Sequence, residues 1–122
     1  MVSKIGSACV GLVALVASVG CGGSSLSAET VAQPQAEIRA AEEAGASGVP
    51  QAALHLKMAK DQLAQGNTLA AEGDDDKASR AYGRSKSDAE LSVLLARLAA
   101  IKAKAQQAVD KANALESGKA GS

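Results

Sequence analysis

Three kinds of side chain in this sequence could do chemistry: the thiols of Cys9 and Cys21, the imidazole of His55, and the carboxylates of Asp74-Asp75-Asp76. His55 stands alone of its type, between Leu54 and Leu56 in a stretch with helical patterning. A general base needs a reacting proton within hydrogen-bond reach and a group to orient its ring, and a lone imidazole on a helix reads instead as a surface or core-edge residue. The three aspartates suggest a cation. A calcium loop, however, alternates its ligands over about twelve residues and closes on Glu, whereas Lys77-Ala78-Ser79-Arg80 follow here. Gly73 and the aspartates therefore read as a helix end followed by a helix start, with the carboxylates capping backbone N–H groups at the positive end of the helix dipole. No glycine-rich phosphate loop follows a strand pattern. Catalytic, cofactor-binding and metal-binding residues are accordingly expected to be absent, and Cys21 remains as the residue with a chemical role.

The stretch that positions Cys21 is N-terminal. Met1-Val2-Ser3-Lys4 carries one positive charge, and Ile5 to Val19 is an uncharged run broken by Gly6, Ser7 and Gly11. A membrane span needs about 20 mainly apolar residues, so a cleaved signal over residues 1–20 is the expectation. Ala17-Ser18-Val19-Gly20-Cys21 resembles the bacterial lipobox, with Ser18 where that pattern usually has Leu. The resemblance implies that Cys21 becomes the first mature residue and carries diacylglycerol and an acyl chain, an anchor of two or three chains that holds stably. Gly22, standing where an Asp would retain the protein in the inner membrane, implies the inner leaflet of the outer membrane, facing the periplasm. Cys9 lies in the segment to be removed, so no intramolecular disulfide is expected in the mature chain. Gly22-Gly23-Ser24-Ser25 reads as a flexible linker, giving a lipidated tether over residues 21–29.

The composition then sets the fold. The chain has no Trp or Phe and one Tyr, and its 47% hydrophobic fraction is mainly Ala. Alanine is the best helix former and buries little surface, so closely packed helices without a large core, and no sheet, are expected. The formal net charge is zero, which argues against nucleic-acid binding through overall basicity. The two halves nevertheless differ: Gly22–Asp76 has three basic and nine acidic residues, and Lys77–Ser122 has nine basic and four acidic. Arms of net −6 and +5 favour folding against each other, although exposed pairs contribute only about 0–1 kcal/mol each.

The periodicity predicts an all-α fold with helices at about 30–45, 50–72 and 75–117, and a disordered tail at 118–122. Pro34 suits a first turn, which would begin the ordered helix near Gln33 and leave Ser27 to Ala32 frayed or in a separate turn. Gly45-Ala46-Ser47-Gly48-Val49-Pro50 is a stop and restart. In the second helix Ala52, Leu56, Ala59, Leu63, Gly66 and Ala70 form a narrow 3-4 seam, in which Gly66 either admits a close neighbour or marks a break at Asn67. The third helix bears two stripes. Ala78, Tyr82, Ser85, Ala89, Ser92 and Ala96 make a small-residue line, and Leu91, Leu94, Leu98, Ile101, Ala105, Ala108, Ala112 and Leu115 a coiled-coil-like one. Two arrangements satisfy these patterns. Either an antiparallel hairpin about Gly73 uses both earlier helices end to end, or a three-helix bundle forms and the Leu98–Leu115 segment overhangs.

From Pro50 to Ala100, Leu56-Lys57-Met58-Ala59, Leu63, Ala70-Ala71-Glu72-Gly73-Asp74, Ala78, Tyr82, Ser85 and Asp88-Ala89-Glu90-Leu91 resemble the envelope lipoprotein family called domain of unknown function 4398. That resemblance implies an Ala-rich helical envelope lipoprotein without an assigned activity. The expected function is a lipid-anchored, non-enzymatic envelope scaffold or spacer, or else an adaptor that binds an envelope enzyme, a partner lipoprotein or a second copy. Leu91, Leu94, Leu98, Ile101 and Leu115 would form the partner-binding face. No cofactor, nucleic acid or small-molecule substrate is expected, because Ala-lined seams leave little room for a pocket.

Overall fold

The computed structural model describes residues 25–120, so the signal segment and Cys21 lie outside the described residues. The described chain is all-α. Helix α1 spans Ala28–Glu43, a short 3-10 turn covers Ala46–Gly48, α2 spans Pro50–Ala71, and the 46-residue α3 spans Asp75–Ala120. At 1.5 Å per residue α3 is ~69 Å long, and it continues past the Ser117 end expected from the sequence.

Local chemistry explains each boundary. Ser27 caps α1, its Oγ accepting from Thr30 N at 3.1 Å. The helix therefore starts before Pro34, correcting the expected start near Gln33. Pro34 sits inside α1 and is among the most fully buried side chains. Its missing N–H and its ring both disfavour a helix interior, but here the ring is packed into the bundle, and that burial together with the Ser27 cap offsets the local cost. Gly45, at φ 78°, ends α1 in the left-handed region. Pro50 opens α2 at its first turn, where no intrahelical N–H bond is lost.

The α2–α3 turn is a Schellman motif: Asp74 N donates to Leu69 O at 2.9 Å and Gly73 N to Ala70 O at 3.1 Å. Gly73 has φ 81°, a conformation that strains any residue with a Cβ. Asp74 then caps α3, accepting from Lys77 N at 3.2 Å, with Lys77 Nζ against its other oxygen. That lysine contact and the backbone bond hold the Asp74 carboxyl below its ordinary pKa.

The helices form a bundle in which α3 packs mainly on α2 and also on α1. Ile38, Ala41, Ala46, Ala52, Leu56, Ala59, Ala89, Val93 and Ala96 make one buried cluster. Alanines at the seams let the backbones approach closely, and two serines exploit this. Ser85 Oγ donates to Ala59 O and Ser92 Oγ to Ala52 O, each at 2.7 Å and buried. Both the donors and the acceptors are seven residues apart, so the two bonds fix one antiparallel register. Further along, Tyr82 lies over Gly66 and its hydroxyl donates to Asn67 Oδ1 at 2.8 Å. The second helix is continuous through Gly66-Asn67, and the glycine is there to admit the ring.

Helix α1 folds back along the bundle. Its N-terminal Ser27 and Thr30 line a depression with Asp76, Ser79 and Arg80 at the start of α3, while Ile38 and Ala41 reach the cluster around Ala89 and Val93. It thus runs antiparallel to α2 and alongside α3, which excludes the end-to-end hairpin. The bundle ends near Ala96, and every residue from Ile101 to Lys119 is exposed.

Candidate functional site

The two α3 stripes have different fates, and their phase explains why. Ala78, Tyr82, Ser85, Ala89, Ser92 and Ala96 are all buried against α1 and α2. Leu91, Leu94 and Leu98 sit two residues beyond Ala89, Ser92 and Ala96, a rotation of about 200° around the helix. They therefore point away from the bundle even where the bundle is present. Leu91 is 39% exposed, Leu94 61%, Leu98 46%, Ile101 63% and Leu115 73%. All five residues expected to bind a partner share this uncovered line, joined beyond the bundle by the exposed alanines Ala105, Ala108 and Ala112.

Charge frames the stripe unevenly. Arg97, Lys104 and Lys111 recur every seven residues along one edge, and Lys102 stands on the other. Between Leu91 and Leu115 the sequence has one carboxylate, Asp110, which is two residues out of phase with Ala108 and accepts from Gln106 Nε2 at 2.9 Å. The apolar line is thus bordered by cations. Toward the start of α3 the same 3-4 spacing continues through Arg80, Arg84 and Ser87 to Leu91.

The other chemistry-bearing residues are engaged structurally. His55 on α2 donates from Nδ1 to Asp88 Oδ1 on α3 at 2.8 Å, the carboxylate being the acceptor. Gln62 Nε2 donates to the second Asp88 oxygen at 2.9 Å, while Gln62 Oε1 is buried without a partner. His55 and Asp88 are partly buried, at 26% and 17% exposure, so this network ties α2 to α3 at the edge of the core. Sequence patterning reads His55 as a surface or core-edge residue, of which the structure shows the second, and misses Asp88 and Gln62. Gln62 is seven residues from His55, and only the interhelical register brings Asp88 between them.

Among the described residues no group of three or more His, Cys, Asp or Glu side chains could hold a metal ion. Asp74 and Lys77 form the helix cap described above rather than a cation cage. Among the described residues no helix is long and apolar enough to cross a membrane. The depression bordered by Arg80, Arg84, Ser87, Asp88 and Leu91 opens on the side of α3 and continues into the exposed stripe. What this arrangement can do is associate: it offers a long apolar line with basic borders on a continuous helix. Comparison with protein-family models, curated proteins and solved structures finds no match for the chain.

Proposed function

We propose that the protein is a lipid-anchored, non-enzymatic helical scaffold or spacer of the bacterial envelope, tethered through Cys21 and acting through the outer face of α3. The observation that carries the docking role is the exposure of Leu91, Leu94, Leu98, Ile101 and Leu115 as one line on a helix that outruns its bundle. The lipobox-like Ala17–Cys21 stretch, and the Gly-Ser linker after it, support the anchor. By the same sequence reading the location is the outer membrane, facing the periplasm, and the resemblance to the domain of unknown function 4398 family supports an envelope role.

The anchor is tested by feeding cells a labelled fatty acid and fractionating them. The parent chain incorporates label and sediments with membranes, and Cys21→Ser does neither. Lack of label in both, with both still in the membrane fraction, would refute lipid tethering.

A second reading, an adaptor for an envelope enzyme or partner lipoprotein, is favoured by the same exposed line, because a contiguous apolar face marks an interaction surface. Its test is in-cell cross-linking of the parent and of Leu98→Asp/Ile101→Asp. Loss of a cross-linked species in the variant supports the adaptor, and identical patterns count against it.

A further inference from the structure

We propose that the outer face of α3 binds an anionic lipid bilayer directly, laying the rod along the membrane. This deepens the docking role assigned above by naming what the face meets. Leu91, Leu94, Leu98, Ile101 and Leu115 would enter the boundary between headgroups and acyl chains, and Arg97, Lys102, Lys104 and Lys111 would meet lipid phosphates.

Charge complementarity selects this occupant over a second copy of the same face. Between Leu91 and Leu115 the four cations border the stripe while Asp110 is turned from it. In an antiparallel pairing that sets Leu98 against Leu115 of the other copy, Lys104 of each chain would stand beside Lys111 of the other, and like charges at such flanks are destabilising. An anionic surface satisfies all four cations at once. It also tolerates the small centre of the stripe, Ala105, Ala108 and Ala112, because lipid chains conform to the relief that a rigid partner would have to match.

The path of the chain gives an independent reason. The segment entering α1 borders the same depression as Asp76, Ser79 and Arg80, and Arg80 begins the 3-4 line that leads through Arg84 and Ser87 to Leu91. The polypeptide coming from Cys21 therefore meets the bundle on the side of α3 that carries the stripe. Four residues separate Cys21 from Leu26, a reach of at most about 18 Å between their Cα atoms, so a lipid on Cys21 keeps the start of α3 near the headgroups, and the stripe begins about 16 Å beyond Arg80 along the same helix, at Leu91. A basic apolar face too weak to bind alone suffices as a second membrane signal under that tether.

The test uses the full chain carrying Cys21→Ser, which cannot receive the lipid, co-sedimented with vesicles of phosphatidylcholine alone or mixed with phosphatidylglycerol. The apolar residues before Cys21 are common to all variants compared. The expected result is partitioning roughly tenfold or more higher on the anionic vesicles, falling toward the neutral-vesicle value as salt is raised. Both Leu98→Asp/Ile101→Asp and Lys104→Glu/Lys111→Glu should lose that preference while keeping the parent's helix content and melting temperature, since all four side chains are exposed. Equal binding by the parent and both variants would overturn the proposal. So would a concentration-dependent oligomer, or a cross-link to an acidic envelope protein, that the variants abolish without change in vesicle binding. Because this form has no lipid attached, failure here leaves the Cys21 anchor to the fatty-acid experiment.

Discussion

Replacing Gly66 by Ala tests the packing logic most directly, because two effects of known size oppose each other. On an exposed helix face the change stabilises by about 0.8–1 kcal/mol, since Ala loses less backbone entropy than Gly. At Gly66 the added Cβ would stand 2.7 Å from Tyr82 Cε1 and 2.8 Å from Cδ1. Carbon atoms rest about 3.5–4.0 Å apart, so the overlap is close to 1 Å. The ring cannot easily yield, because Tyr82 is 2% exposed and its hydroxyl is held by Asn67. Overpacking of this kind costs about 1–3 kcal/mol, and weakening the Tyr82–Asn67 bond adds up to about 1 kcal/mol. These terms sum to a net loss of up to about 3 kcal/mol, and with an overlap close to 1 Å against a held ring the expectation is the middle of that range, about 1–2 kcal/mol, or a melting temperature lower by roughly 4–15 °C for a domain of this size. Thermal and urea unfolding followed by circular dichroism measure it. Gly83→Ala is the internal control, since that glycine lies in α3 with nothing within 4 Å of an added Cβ, and it should stabilise by about 1 kcal/mol. In a Tyr82→Ala background Gly66→Ala should likewise become stabilising. A Gly66→Ala protein as stable as the parent would refute the reasoning.

Ser85→Ala and Ser92→Ala should each cost about 0.5–1 kcal/mol in urea unfolding, the low end for a buried hydrogen bond because the carbonyls of Ala59 and Ala52 retain their helical partners. Asp88→Ala should cost about 1–3 kcal/mol by stranding His55 and Gln62, and a double-mutant cycle with His55→Ala should show coupling rather than additivity. Asp74→Ala should lower the melting temperature at neutral pH. Because the folded pKa of Asp74 is lowered, its contribution is complete above about pH 5, where the unfolded group is ionised, and disappears as pH falls through the folded value. The gap between parent and variant should therefore close in acid, as melts at a series of pH values would show.

Much of this architecture is legible in the chain because it depends on short-range rules. The Gly73-Asp74 pair forces a left-handed residue and then supplies a cap, so the α2–α3 turn follows from two adjacent residues. The 3-4 spacing from Ala78 to Ala96 likewise marks a seam wherever α3 runs as a helix. Pro34 shows the limit, since local preference places it at a helix start and burial in the bundle overrides that. What periodicity leaves undecided is which of two equally regular stripes is covered. Both suit a neighbouring helix, and the Leu91–Leu115 line is the more hydrophobic, yet the bundle buries the small one. Its residues let the backbones come close enough for Ser85 and Ser92 to reach carbonyls on α2 and for Tyr82 to settle over Gly66. The fold-back of α1, the meeting of His55 with Asp88, and the exposure of the leucine line all follow from that choice of face. It is a tertiary decision, because it depends on how closely backbones can approach rather than on how apolar a stripe is.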